Sequence, residues 1–483
     1  SKEQQGTAMR SNFLTLKIIA IIILMAIFWV GLNFVSVLVS ERQSYQQNFL
    51  KDIAQNHIRP QSIVSPYIRV PYQQNKICQN EKKEPYNCVE THWTLIGADQ
   101  THWTSQFDVS DDKYKRAIYR AISYQAELTA QGSFQKPLVE KHPYQWDQAE
   151  IVLPVSDPRG LNQNPTISIS NQNYQFEIAP QDTTHSGLNF MRIRVQQRPE
   201  LLNAIQNGFQ FKLQVNTAGL NKFTLIPTSN VITYAAKGNW ADAKYDGQSL
   251  PYDRNSAEKQ FSAQWKNIAL GQQNLNALAN CTAKGKAEYC FNPNKPNEYE
   301  AFENGYPAHA ADDKIGLSTE FLESVNVYTQ TDRALKYGIV IILITLGCFF
   351  LFEVLKSLRI HPIQYSLVAM AQGIFFVLLL AISEYYAFAW AYMVAAIACI
   401  SLMTWYLFFV MKGFKVAALF GLILSSLYGI MYMLLQSSGK TFLMGSIIAF
   451  IILSIVMFIT RNVDWYQLNG RTERELKTYT PPQ

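Results

Sequence analysis

Phe349–Leu367, FFLFEVLKSLRIHPIQYSL, sets Glu353, Lys356, Arg359 and His361 between two oily runs. A carboxylate, two cations and an imidazole this close together could form a proton relay or a catalytic cluster at a membrane. They could equally form a short wet turn between two spanning helices. Spacing separates the two readings. Glu353 lies 16 residues past Tyr337, about 24 Å along a helix at ~1.5 Å per residue, which brings it near the headgroups. Lys356 follows at i+3, a spacing that permits an ion pair on one helix face. His361-Pro362 breaks the helix, and Pro362 suits the first turn of the next one. The pattern favours an interfacial turn.

Other chemistry-bearing patterns are weaker. THWT occurs at 91–94 and again at 101–104, around LIGADQ. His92, His102, Trp93 and Trp103 could hold a metal or a carbohydrate. A β-hairpin turning at GADQ, with aromatic cross-strand pairs, explains the repeat more simply. SSGKT at 437–441 lacks the first glycine of a phosphate-binding loop, where Leu434 stands. His185, in THSG, lacks flanking glycines of a nucleophile turn. No H-E-x-x-H or G-x-S-x-G occurs. Neither a catalytic residue, a metal site nor a cofactor is expected, and the chain reads as non-enzymatic.

Cysteine spacing carries more. Cys78 and Cys88 are close in sequence, as are Cys281 and Cys290. Two near pairs in a segment of balanced charge point to two local disulfides in an oxidising compartment. Neither pair has the spacing or the neighbouring His residues of a zinc site. Cys348 and Cys399 sit in apolar runs, where a thiol is a small packing group.

The elements that must position these residues follow from charge and hydropathy. The chain has 483 residues, 16% charged, with a net charge of +6. From Glu41 to Lys336 acidic and basic residues are equal in number, whereas Tyr337–Thr460 is nearly uncharged. Ile18–Val39 carries no charge and is long enough to cross a hydrocarbon core of about 30 Å. It exceeds the apolar core of a signal peptide and reads as a retained anchor. Five more spans lie near Tyr337–Val354, Ile363–Ser383, Ala387–Val410, Val416–Leu435 and Thr441–Thr460.

Arg10, Lys17, Lys356, Arg359, Lys412, Lys415 and Arg461 flank one side of these spans, and the opposite short loops hold only Lys440. Both termini (1–17 and 461–483) are therefore expected in the cytoplasm, with residues 40–336 outside. The positive total is a topology signal. Nucleic-acid binding would need a basic exported segment, and that segment is neutral.

The exported segment reads as β-rich. FQFKLQV at 209–215, TISIS at 166–170, YQFEI at 174–178 and MRIRV at 191–195 alternate apolar with polar residues. Residues 41–57 and 254–280 look more helical. The fold class is thus an α+β membrane protein: one N-terminal span at 18–39, a β-rich periplasmic domain at 40–336, and a five-helix bundle at 337–460.

Depth argues about mechanism. The estimated midplanes hold Gln372, Cys399, Ser425, Ser426 and Ser454 and no charge, whereas proton-coupled transporters place ionisable groups at mid-depth. Gln372, Gly373 and the serines are expected to join helices. Glu384 ends the third span at the opposite rim from Glu353. Arg333 and Lys336 are read as anchors for anionic headgroups, with pairing to Asp332 the alternative. Asp464 stands at i+3 from Arg461, beside an aromatic belt of Trp465 and Tyr466.

TDRALKYG at 331–338, FEVLKSLRIHPIQY at 352–365, LLLAISE at 378–384 and TRNVDWY at 460–466 resemble the CreD family of bacterial inner-membrane proteins. RPQSIVSPYIRVPY at 59–72, DPRGL at 157–161 and FSAQWK at 261–266 agree, in order. The resemblance implies a Gram-negative inner-membrane protein tied to envelope integrity and to envelope and β-lactam stress. It implies no catalytic activity. Expected partners are membrane lipids and periplasmic or envelope proteins or glycans, with no nucleic acid. The competing expectation is a transporter or lipid-handling protein using Glu353, His361, Glu384, Arg461 and Asp464.

Overall fold

The computed structural model describes residues 2–79, 82–116, 119–137, 142–179, 188–257, 259–284, 315–322, 327–355, 360–410, 413–436 and 441–461. The chain divides into two units, a helical one (1–45 and 325–483) and a β-domain (46–324). Six helices among the described residues are long and apolar enough to cross a membrane, one N-terminal and five C-terminal.

After α1 (Lys2–Asn56) come β1 (Gln61–Val64), β2 (Tyr67–Gln79), β3 (Pro85–Gly97), β4 (Gln100–Arg116) and β5 (Tyr119–Phe134). Next are β6 (Glu150–Val155), β7 (Thr166–Ile169), β8 (Gln172–Gln175), β9 (Glu177–Ile178) and β10 (Asn189–Arg194). Helix α2 (Pro199–Asn207) precedes β11 (Phe209–Leu220), β12 (Lys222–Ile226) and β13 (Val231–Gly238). Then β14 (Ala243–Gly247), β15 (Asp253–Ala257), β16 (Gln260–Asn267), α3 (Leu270–Lys284) and β17 (Leu317–Phe321) close the domain.

These strands form two mixed sheets. One runs β14-β17-β12-β1-β6-β10-β9, with β2 joined to β6 and β3 joined to β2. The other runs β15-β16-β13-β4-β5-β11-β7-β8. Among the described residues, only β1–β12 and β13–β4 pair in parallel. One core joins the inner faces of both sheets, with Ile63, Leu153 and Phe223 from the first and Trp103, Phe107 and Leu213 from the second. Period-two alternation produces this: β4 buries Thr101, Trp103, Ser105, Phe107 and Val109 and exposes the alternate residues from Gln100 to Ser110.

Two expectations change. The THWT repeat is not a hairpin. Its first copy lies in β3, which pairs with β2, and its second in β4, which pairs with β5 and β13 in the other sheet. Residues 97–100 carry the chain between sheets. Gly97 is needed there because a Cβ would stand 2.0 Å from the Thr228 carbonyl oxygen. A tight two-residue turn lies at Ser170-Asn171 between β7 and β8, where both φ angles are positive. Secondly, 253–267 is the β15–β16 hairpin, and helix starts only at Leu270. Phe261, Ala263 and Trp265 all point inward at period two, and the Asn267 side chain caps α3 by accepting from the Ala269 and Leu270 amides.

Two ionic knots brace the domain. Glu150 is buried and accepts from Arg69 at 2.6 Å and Arg192 at 2.9 Å, so the charge taken from water is paired twice. Asp157 accepts from the Arg159 side chain and amide and from the Arg59 amide. Arg159 in turn donates to the Gln55 and Ala54 carbonyls, closing the C-terminal end of α1 inside the β-domain.

Burial pushes the Asp157 carboxyl up, but the hydrogen bonds and charge of Arg159 outweigh it, and it titrates below the usual carboxylate range. Stability from such a group is complete above the unfolded value of about 4 and is lost as pH falls through the lower folded value. Asp157→Asn is therefore expected to cost about 1–3 kcal/mol at neutral pH. In thermal melts of the two proteins, the gap should narrow steadily below pH ~4; a gap that stays constant with pH contradicts the assignment.

Candidate functional site

The bundle consists of α4 (Val327–Leu355), α5 (Pro362–Ser383), α6 (Phe388–Val410), α7 (Phe414–Gln436) and α8 (Thr441–Thr460). Between α4 and α5 the expected turn is present, and its parts are specific. The Glu353 side chain accepts from the Tyr365 hydroxyl at 2.6 Å and from the Ile360 amide at 3.2 Å. Tyr365 is buried and stands edge-on to Phe349. His361 caps α5: its Nδ1 accepts from the Ile363 amide, while the Gln364 side chain accepts from the His361 amide. This is a reciprocal capping box with Pro362 in the first turn. Glu353 and His361 thus satisfy backbone and phenol donors at a helix junction. Lys356 and Arg359 lie outside the described residues.

At the other end of α5, Glu384 meets Arg42 of α1 at 3.5 Å. The 22 residues of α5 put roughly 33 Å between the Glu353 and Glu384 ends at 1.5 Å per residue. The two carboxylates cannot share a site. Arg333 and Lys336 fall within α4, which begins ten residues before the expected start; Lys336 pairs with Asp332 at 2.7 Å and Arg333 is exposed. A cleft of about 230 Å³ between α1 and α4 is lined by Trp29, Asn33, Ser36, Asp332 and Lys336. Arg461 lies over the Phe458 ring at 4.4 Å, and Asp464 is outside the described residues.

Mid-bundle polarity is neutral and mostly turned inward. Gln372 of α5 donates to Thr345 of α4 at 2.7 Å, as expected of a helix-joining amide. Cys399 donates to the Ala371 carbonyl, and Tyr392 to the Tyr428 carbonyl. The serines differ from expectation. Ser425, Ser426 and Ser454 each bond the carbonyl four residues back in their own helix, where a hydroxyl finds its nearest acceptor.

In the β-domain, Cys78 and Cys88 form a disulfide between β2 and β3. Cys281 and Cys290 lie outside the described side chains. His92 stacks on Tyr72, Trp93 lies under the Arg69 guanidinium, His102 bonds Thr233, and Trp103 is in the core. The four therefore share no site. Among the described residues no cluster of three or more His, Cys, Asp or Glu could hold a metal ion. The outer face of the second sheet carries a shallow hollow of about 650 Å³, bordered by Gln100, His102, Gln131, Ser168, Gln210 and Lys212.

Arg42, Gln364 and Tyr365 escaped the sequence reading. Gln364 was recoverable, since a cap followed three residues later by Gln is a helix-start signature. Tyr365 and Arg42 reach their partners across a turn and across the bundle, where no periodicity leads.

The family model described as "Inner membrane protein CreD" matches residues 13–466. The chain belongs to the CreD family. It is also similar to the inner membrane protein CreD of Escherichia coli (strain K12), at 26% identity over 436 residues, 89% of this chain and 88% of that protein. Among solved structures, a Deinococcus radiodurans M1 zinc metallopeptidase aligns over 35% of this chain and 38% of its own, at 9% identity and a TM-score of 0.17. That score is far from a shared fold. A multi-pass inner membrane protein of the CreD family fits both the match and the six apolar helices.

If Glu353 closes the α4–α5 turn, Glu353→Ala removes an acceptor from the Tyr365 hydroxyl and the Ile360 amide and should cost about 1–3 kcal/mol, with Tyr365→Phe costing less. Thermal unfolding of the detergent-solubilised protein measures both. Two unchanged midpoints would contradict the bracing role.

Proposed function

We propose that this CreD-family chain is a non-enzymatic inner-membrane protein supporting cell-envelope integrity and the response to envelope and β-lactam stress. It does so through residues 40–336 held in the periplasm, with both termini cytoplasmic. The supporting observation is where the ionisable chemistry sits. In the helical unit Glu353, Glu384, Asp332 and Lys336 are engaged near helix ends, and mid-bundle contacts such as Gln372–Thr345 are neutral. The extended polar surface belongs to the β-domain instead. The Cys78–Cys88 disulfide suits an oxidising compartment, and the Lys/Arg bias of the short loops suits this orientation. Membrane lipids are then the solvent of the bundle, and an envelope protein or glycan is the class of partner for the β-domain.

Deletion should sensitise cells to detergent and to envelope-active agents. The full chain should restore resistance, and the helices joined across 46–324 by a linker, at matched membrane levels, should not. Full rescue by the helices alone rejects the proposal.

A further inference from the structure

The β2–β3 hairpin departs from its sheet. β2 pairs with β6 only over Tyr67–Arg69, and β3 pairs with β2 alone. Beyond Tyr72 both strands are largely exposed, and the Cys78–Cys88 disulfide staples them into an arm. Among the described residues, the backbone of 85–97 makes no hydrogen bond except to β2. Before its last residues, 94–97, which are half-buried and run up against α3, one edge of β3 is therefore an open row of N–H and C=O groups.

Open edges are normally blunted by lysines, internal prolines, bulges or shortness. β3 uses none of these. It is 13 residues long, its proline is at the first position, its pairing with β2 is unbroken, and its one formal charge is Glu90. It is also rich in β-favouring residues, with Val89 59% exposed and Trp93 37% exposed. A strand lying on this edge would satisfy the backbone and cover both side chains.

The sequence of β3 fits itself. Antiparallel edge-to-edge pairing of two copies about a two-fold axis normal to the sheet keeps side chains on their own faces. Thr91 is the midpoint of Pro85–Gly97, so an axis there overlaps the whole strand. That axis also sets Glu90 opposite His92 of the second copy and Val89 opposite its Trp93. Shifting the axis to Glu90 or His92 instead sets each of those residues against itself, an unfavourable cross-strand pairing for Glu90. Within one chain, the Lys76 ammonium already holds Glu90 ionised by hydrogen bonding at 3.0 Å, with the chain's own His92 at 3.6 Å.

We infer that the β3 edges of two copies pair antiparallel across Thr91, joining two chains through one continuous sheet. Directly opposed Cα atoms in an antiparallel pair lie about 4.5–5.5 Å apart, within reach of a disulfide. The full chain carrying Thr91→Cys, oxidised with copper phenanthroline in native membranes, should give a crosslinked dimer. Asp253→Cys, on the exposed edge strand β15 of the other sheet, should not. Light scattering in mild detergent should find two copies of the wild-type chain. Val89→Lys, which adds the missing edge lysine at an exposed position, should weaken the dimer at least ten-fold while mass spectrometry still finds Cys78–Cys88 intact. Three results would overturn the inference: a monomeric wild-type chain, a dimer that Thr91→Cys fails to crosslink, or Thr91→Cys crosslinking only to a different protein.

Discussion

An ionised or unpaired polar group costs several kcal/mol in hydrocarbon, and the helical unit is organised around avoiding that cost. α5 shows it best. Its N-terminus is closed by His361, Gln364 and the Glu353 carboxylate, and its C-terminal Glu384 meets Arg42. Between those ends the inward polar contacts are neutral, as in Gln372–Thr345 and Cys399–Ala371. Such contacts bind helices to one another where lipid gives no hydrophobic drive for association.

The β-domain solves a different problem. Water satisfies its surface, so its design question is how two sheets share one core. Phe107 answers it, standing edge-on to Tyr124 of its own sheet and to Phe223 and Phe321 of the other. Where charge enters this interior it has more than one donor: Glu150 meets Arg69 and Arg192, and Asp157 meets Arg159 and the Arg59 amide. Both knots tie segments far apart in sequence, and Arg159 also fixes the end of α1, whose Phe49 packs on Ala121 and Leu220.

What the sequence made legible follows from range. Depth in a spanning helix is linear in residue number, so the rim placement of Glu353 and Glu384 could be read by counting. The ten-residue separation of Cys78 and Cys88 is short enough that a hairpin brings them together. Strand partners are another matter. GADQ looks like a turn, yet alternation and turn composition do not say which sheet the next strand joins, and β4 joins the other one. FSAQWKN was legible in principle, because Phe261, Ala263 and Trp265 alternate at period two. Tyr365 and Arg42 were illegible for the reason β4 was: their partners come from tertiary packing.

The account rests on a partition in which the β-domain and the α5–α6 turn share the periplasmic side. Tyr385 in that turn is 74% exposed, and Gly413 lies in the α6–α7 turn at the opposite ends of the helices. In a background with Cys348 and Cys399 changed to Ser, a membrane-impermeant maleimide applied to intact cells should label Tyr385→Cys. It should label Gly413→Cys only after the inner membrane is opened. The reverse pattern would contradict the partition and the function proposed from it.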